Sequence, residues 1–421
     1  MASESEAERI LARDQRREAW DLWGPYLSER QWGTVREDYS ADGDAWSYFP
    51  HDHARSRVYR WGEDGLLGLC DSDCRLCFSA AFWNGHDPIL KERFFGLSNS
   101  QGNHGEDIKD YFYHLDNTPS HSYMRGLYKY PQQEFPYQRL IDENARRTRL
   151  EPEFELVDTG AFNEGRYFDI FIEYAKAAPS DICIKISAIN RGPDPAPLTI
   201  LPTLWFRNTW SWGQEGLTKP QMHLTGDKSI RATPWGLPVY HLYCEGASEF
   251  VFTDNETNNQ RLFGAQNAAA HVKDAFHDYI VHGRTDSVNP AGSGTKASPV
   301  YRRTIAPGET SIVRVRLTES PQPEPFGSSY EATFHERTKE ADDFYEALTP
   351  GLPEETAMIQ RRSLAGLLWC KKFYFYPVSQ WLEGDPTMPP PPRERWQRRN
   401  AFWKEMHAHD IISMPDCWEY P

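Results

Sequence analysis

From about residue 30 to residue 318, short runs rich in aromatic and β-branched residues alternate with clusters of Gly, Pro, Asn and Asp. Within 181–190, Ile182, Ile184 and Ile186 alternate with Cys183, Lys185 and Ser187. Within 311–317, Val313, Val315 and Leu317 alternate with Ile312, Arg314 and Arg316. A period of two between polar turns predicts antiparallel strands with one buried face. The same pattern predicts strands over 75–83, 108–115, 167–175, 198–206, 239–244 and 279–282. Many strands without long helices between them predict a mainly β fold, two large antiparallel sheets stacked as a sandwich. At the start of the chain, 4–23 reads as a helix with Ile10, Leu11, Trp20, Leu22 and Trp23 on its apolar side, ended by Gly24-Pro25. The Pro-rich stretch 319–328 reads as a linker. Beyond it the period turns helical over 329–348 and 354–375, and again over 393–407 after the Pro-rich spacer 386–392. The expected organisation is an N-terminal helix (1–28), a sandwich (29–318), the linker, and a helical segment (329–421). Two or three amphipathic helices cannot bury their own apolar faces, and the last residues, Trp418-Glu419-Tyr420-Pro421, are apolar and aromatic. Either they pack on the sandwich or a helical domain has been cut short, and the second is the expectation.

Composition narrows the partners. The 421 residues carry a formal charge of −15, which repels phosphate backbones and argues against nucleic acid. No run approaches the roughly 18 apolar residues of a membrane span, and the first residues lack the basic and apolar regions of a secretory signal. Seven cysteines without framework spacing suggest reduced thiols and a cytoplasmic setting. Aromatic residues make up 14% of the chain, with 15 Trp. They suit a β core, and they also suit sugar recognition, in which flat rings cover the apolar faces of pyranoses.

Four segments carry candidate chemistry. Cys70, Cys74 and Cys77, with His51 and His53 upstream, suggest zinc. Yet Cys77 falls inside an apolar strand and His-Asp-His lacks the usual second-pair spacing, so the reading is buried thiols and no metal site. The loop 99–107 offers Asn103, His104, Glu106 and Asp107 between Gly102 and Gly105, a polar set suited to sugar hydroxyls; Lys109 offers the competing role of neutralising these acids. Residues 254–259 hold oxygen ligands enough for calcium without the loop spacing of an EF-hand, and read as a turn. Trp205, Arg207 and Trp210, with Trp212, form a dense aromatic and cationic cluster at a strand end, a candidate stacking wall. No cofactor motif stands out.

Several long runs resemble glycoside hydrolase family 63, which includes the mannosyl-oligosaccharide glucosidases. They are 23–40 (WGPYLSERQWGTVREDYS), 48–57 (YFPHDHARSR), 61–65 (WGEDG), 83–93 (WNGHDPILKER), 102–107 (GNHGED), 203–210 (TLWFRNTW) and 273–277 (KDAFH). The resemblance extends over nearly the whole chain from residue 5. It implies a β-supersandwich followed by the first helices of a truncated (α/α)6 barrel, and inverting hydrolysis of α-glucosidic bonds in oligosaccharides without a cofactor. In the family resembled, both catalytic carboxylates sit in the barrel. Residues 418–421 resemble the stretch just before the catalytic acid, so no catalytic residue carries over to this chain. The partners implied are an oligosaccharide and the missing barrel domain. Two other readings stay open: a stand-alone carbohydrate-binding or scaffold sandwich, and an N-terminal subunit pairing with a separately encoded barrel.

Overall fold

A computed structural model describes residues 5–29, 39–40, 48–97, 101, 107–148, 150–213, 216–226, 228–386, 388–398, 400–413 and 419–420. Two large antiparallel sheets dominate. The seven-stranded sheet contains β1 (Trp23–Gly24), β2 (Leu69–Asp71), β3 (Leu76–Trp83), β10 (Ala196–Phe206), β16 (Lys296–Pro299) and β14 (Phe250–Thr253) in that spatial order, with β17 (Tyr301–Ile305) also paired to β10. The nine-stranded sheet has the order β15 (Ser293–Gly294), β11 (Gln221–Leu224), β12 (Ile230–Thr233), β13 (Tyr240–Cys244), β18 (Thr310–Thr318), β9 (Asp181–Asn190), β8 (Tyr167–Ala178), β7 (Tyr123–Pro131) and β6 (Tyr111–Asn117). A short pair joins β4 (Gly96–Leu97) to β5 (Asp107–Ile108).

One apolar core lies between the large sheets. Phe78, Ala80 and Phe82 of β3 and Ile200, Leu204 and Phe206 of β10 meet Ile170, Ile172, Ile184, Ile186, Val313 and Val315 of the nine-stranded sheet. The period-two reading of β9 and β18 holds for the inner face, where Ile182, Ile184, Ile186, Val313, Val315 and Leu317 are buried. On the other face Ile312 is 54% exposed, but Cys183, under Tyr330 and Phe334, and Arg316 are buried as well. The result is a mainly β, sandwich-like arrangement with helices around it.

The expected helix 4–23 is shorter. It runs Glu6–Asp14 with a Ser5/Glu8 capping box, and Arg16 at φ +55 breaks its path. Trp20 and Trp23 go to the interior instead of extending a helical stripe. The buried ammonium of Lys176 draws them in, donating to the carbonyls of Trp20 (2.6 Å) and Trp23 (2.5 Å). Residues 279–281 belong to a helix, Ala275–Val281, capped by His282, rather than to a strand. Its buried residues are Ala275, Phe276, His277 and Ile280, and the helical spacing of Phe276 and Ile280, four apart, is masked by neighbouring β-formers.

After β18 no regular element covers 319–327. The helix Ser328–Leu348 then packs on β7 to β9, where Tyr330 donates its hydroxyl to Ile184 O at 2.6 Å. The next helix, Glu354–Trp369, lies against β6, with the Trp369 ring stacked on His114 at 4.8 Å. It stops six residues before the expected end. Lys371–Pro377 is instead β19, paired with β20 (His407–Ser413), which pairs with β21 (Glu419–Tyr420). The aromatic run Phe373–Tyr376 favours strand over helix. A helix over 393–407 is also corrected: among the described residues there, a short 3-10 turn, Arg393–Gln397, is the helical element.

The shared core generates a direct test. Ile184→Ala is expected to lower unfolding free energy by about 2–5 kcal/mol in denaturant titration. Ile312→Ala, on the exposed face of the neighbouring strand, is expected to stay within about 0.5 kcal/mol.

Candidate functional site

Alternation along β3 and β10 gives the seven-stranded sheet a second, outward face. Cys77, Ser79, Ala81 and Trp83 of β3 lie on it, with Leu201, Thr203 and Trp205 of β10. Loops cover it and enclose a chamber lined by Glu63, Asp64, Ser79, Ala81, Glu92, Arg93, Thr203, Trp205, Asn255, Lys273 and Lys296. The cover sits close. A Cβ on Gly65 would lie 2.7 Å from the Ser79 Cβ and 3.2 Å from the Trp205 ring, so only glycine fits at that point.

Three carboxylates face three cations here, all buried. Asp64 accepts from the Tyr59 hydroxyl (2.6 Å) and the Arg93 Nε (2.8 Å). Glu92 pairs with Lys296. Glu63 accepts from the Asn255 amide at 3.0 Å. Lys273 donates to Arg57 O at 2.8 Å, and Lys296 to Lys273 O at 3.3 Å. Burial pushes the Glu63 carboxyl up to about 7 against the pull of Lys273, and burial brings the Lys273 ammonium down to about 8. Burial also opposes ionisation of Glu92, but the Lys296 charge beside it prevails and lowers its pKa.

The free space in the chamber is about 20 Å3, the size of a single water and far below a sugar ring. The arrangement can hold charge and clamp loops to the sheet; it cannot admit an oligosaccharide. A wider surface cleft of about 400 Å3 lies between His86, Gln132–Glu134, Arg166 and Asp194–Pro197. Among the described residues no Trp, Tyr or Phe lines it, so those residues offer no stacking platform for a sugar.

Of the residues expected to bind sugar, Asn103, His104 and Glu106 lie outside the described residues. Asp107 is described in its backbone, paired with Leu97. Lys109 is buried, its ammonium held by Glu153 (3.1 Å) and Glu155 (2.9 Å). Trp205 lines the chamber. Arg207 is buried between the rings of Trp212 (5.3 Å) and Phe373 (4.8 Å), and donates to Cys74 O and Arg60 O at 3.1 Å each. Trp210 is half-buried and donates to Glu256 Oε1 at 2.6 Å. Trp205 faces the outer side of the seven-stranded sheet with Arg207 over the neighbouring Phe373 ring, whereas Trp210 packs against the core between the sheets. The partners of Arg207 and Trp210 are protein groups. The turn at 254–259 spends its polar groups likewise: Glu256 accepts from Asn208 and Trp210, and Asp254 pairs with Lys219 at 2.9 Å.

Sequence reasoning passed over the chamber itself. The available signal was the set of runs 61–65, 83–93, 203–210 and 273–277, which supply Glu63, Asp64, Glu92, Arg93, Thr203, Trp205 and Lys273 to the one lining. The run 48–57 supports it through Arg57 O and through Ser56, which donates to Asp274 at 2.6 Å.

No family model matches the chain. A relative of curated standing, an uncharacterized protein of Saccharomyces cerevisiae, is 41% identical over 463 aligned positions. The match takes in 99% of this chain, which spans only 43% of the yeast protein's length. Among solved structures, a polysaccharide lyase aligns with 62% of this chain and 27% of its own, at TM-score 0.27 and 10% identity. A protein described as a kojibiose phosphorylase from the human microbiome aligns with 74% of this chain and 36% of its own, at TM-score 0.25 and 10% identity. These structural likenesses are too weak to carry an argument. Among the described residues, no helix is long and apolar enough to cross a membrane.

The raised Glu63 pKa sets a pH dependence. Between about 4.5 and 7 the folded chain keeps a proton that the unfolded chain has released, so this side chain's contribution to stability falls as pH rises through that window. Glu63→Gln removes the titrating group. Urea titrations across the window are expected to show the variant gaining on the parent as pH rises; a constant difference would contradict the assignment.

Proposed function

We propose that this chain is the N-terminal part of a glycoside hydrolase of the family 63 type, an inverting α-glucosidase acting on oligosaccharides. Its catalytic carboxylates would lie in a barrel domain outside residues 1–421. In such a reaction one carboxylic acid protonates the leaving oxygen and a second carboxylate activates water, the two standing roughly 6.5–9.5 Å apart to admit it. The observation that carries the reading is the convergence of the runs that resemble the family. Far apart in sequence, they build one charge-balanced chamber on the outer face of the seven-stranded sheet. The closure of that chamber gives it a scaffolding role.

Apolar surface supports a neighbouring domain. Ile359 is 56% exposed, Leu367 59%, Trp403 64% and Phe402 94%, and side chains of this kind mark contact surfaces. In this reading the loop with Asn103, His104, Glu106 and Asp107 walls the sugar pocket, and Trp205, Arg207 and Trp210 brace the sheet face beside it. Six described cysteines without disulfides accord with a reducing, cytoplasmic compartment.

The test uses this chain and the full-length yeast relative side by side, on α-linked glucose disaccharides and a nitrophenyl α-glucoside. The relative is expected to release glucose, first as the β-anomer by polarimetry, and this chain alone is expected to release none. A folded full-length relative that binds these sugars without cleaving them would overturn the proposal in favour of a carbohydrate-binding scaffold. Turnover by this chain alone, abolished by a substitution within it, would overturn it from the other side.

A further inference from the structure

Three of the cysteines meet beside the chamber. Cys70 of β2 and Cys77 of β3 are direct partners across a hairpin. The hairpin turn is tied by Asp71, whose carboxylate accepts from the backbone N–H of Asp73 (3.1 Å), Arg75 (2.7 Å) and Leu76 (2.8 Å). Cys74, in that turn, sits at φ +51, a conformation that non-glycine residues seldom adopt. The three Sγ atoms lie within 4.8 Å of one another, Cys74 and Cys77 at 3.6 Å. All three side chains are fully buried, and no disulfide joins them.

The spacing has a chemical meaning. Thiolates around a metal at about 2.3 Å stand about 4.0 Å apart when three share a plane, inside the observed range. Zinc in a structural site takes four ligands, and among the described residues no fourth Cys, His or carboxylate joins this group. His51, considered as a ligand from the sequence, packs instead against Phe95 (5.0 Å) and Tyr137 (5.6 Å). A set of thiolates alone selects soft ions, copper(I) foremost. The surroundings suit a shielded, weakly hydrated ion: Tyr26, Leu27, Trp205 and Phe373 form the wall. The turn residues Ser72, Asp73 and Arg75 beside the thiols are half-exposed.

A second cluster, His277, Asp278 and His282, does not compete. The Leu90 N–H donates to His277 Nδ1 at 3.2 Å. The proton of neutral His277 therefore sits on Nε2, which donates to His282 Nε2 at 3.2 Å. The atom that would ligate a metal already carries a hydrogen.

We propose that Cys70, Cys74 and Cys77 form a three-coordinate thiolate site for copper(I). Each thiol that binds gives its proton to solvent, and the ion clamps the β2–β3 hairpin beside Trp205, the register partner of Cys77. The test titrates the reduced chain without oxygen, using a copper(I)–acetonitrile salt, against a chelating competitor. One copper per chain is expected to be retained, and lost in Cys74→Ser and in Cys77→Ser but kept in Cys183→Ser. X-ray absorption of the loaded parent protein is expected to count three sulfur neighbours, a readout that needs no variant to fold. Loss of all copper to the competitor, two sulfur neighbours, or a tetrahedral spectrum on cobalt(II) addition would each overturn the site.

Discussion

The structure turns on the cost of burying charge. Glu63, Asp64, Glu92, Arg93, Lys273 and Lys296 are almost without solvent contact on the outer face of the seven-stranded sheet. An isolated charge at such a depth costs several kcal/mol even after relaxation. The cost is offset only if every loop that brings a charge also brings its partner's counter-charge to the right place. The segments 57–65, 90–93, 253–258 and 271–277 must therefore settle together. The network thereby specifies one arrangement of loops on a face that apolar packing alone would leave loosely defined.

The same requirement shapes function. A network with room for one water cannot be an open sugar pocket, so the chamber anchors the surface on which a pocket is built. Its neighbours on that face are of different kinds. At the β2–β3 hairpin lie the three thiols; around Leu201 lies an apolar cluster that includes Phe276 and Ile280. Trp205 joins thiols and chamber, since it pairs in register with Cys77 and lines the chamber wall. The Trp-rich segment after β10 is explained in the same terms. Its polar groups are engaged with Glu256, Asn255 and the backbone at Cys74 and Arg60, which makes it a brace.

Strands with one buried face were legible in the sequence because their alternation is local. β9 appears with the bounds its isoleucines predict, and β18 within one residue at each end. Segments whose fate depends on distant partners were not. Trp20 and Trp23 leave a helical pattern because Lys176, more than 150 residues away, takes their carbonyls. Residues 371–377 become a strand because β20 waits to pair with them. The chamber shows the limit most plainly. Glu63, Glu92 and Lys273 stand in runs that the family resemblance singled out, yet each run read alone holds an ordinary mixture of charges. Lys296, in Gly-Thr-Lys-Ala, has no local signal at all, and only the pairing of β16 with β10 and β14 delivers it to Glu92.

The central claim is that the buried charges hold this face together as a coupled set. A double-mutant cycle on Glu92 and Lys296 measures it directly, with Glu92→Gln, Lys296→Met and the pair combined, read as unfolding free energy in denaturant. Each single change is expected to cost about 3–5 kcal/mol, because it strands the opposite charge. The double change is expected to cost less than the sum of the two by about 0.5–3 kcal/mol. Single variants within about 0.5 kcal/mol of the parent, or strictly additive losses, would contradict the account.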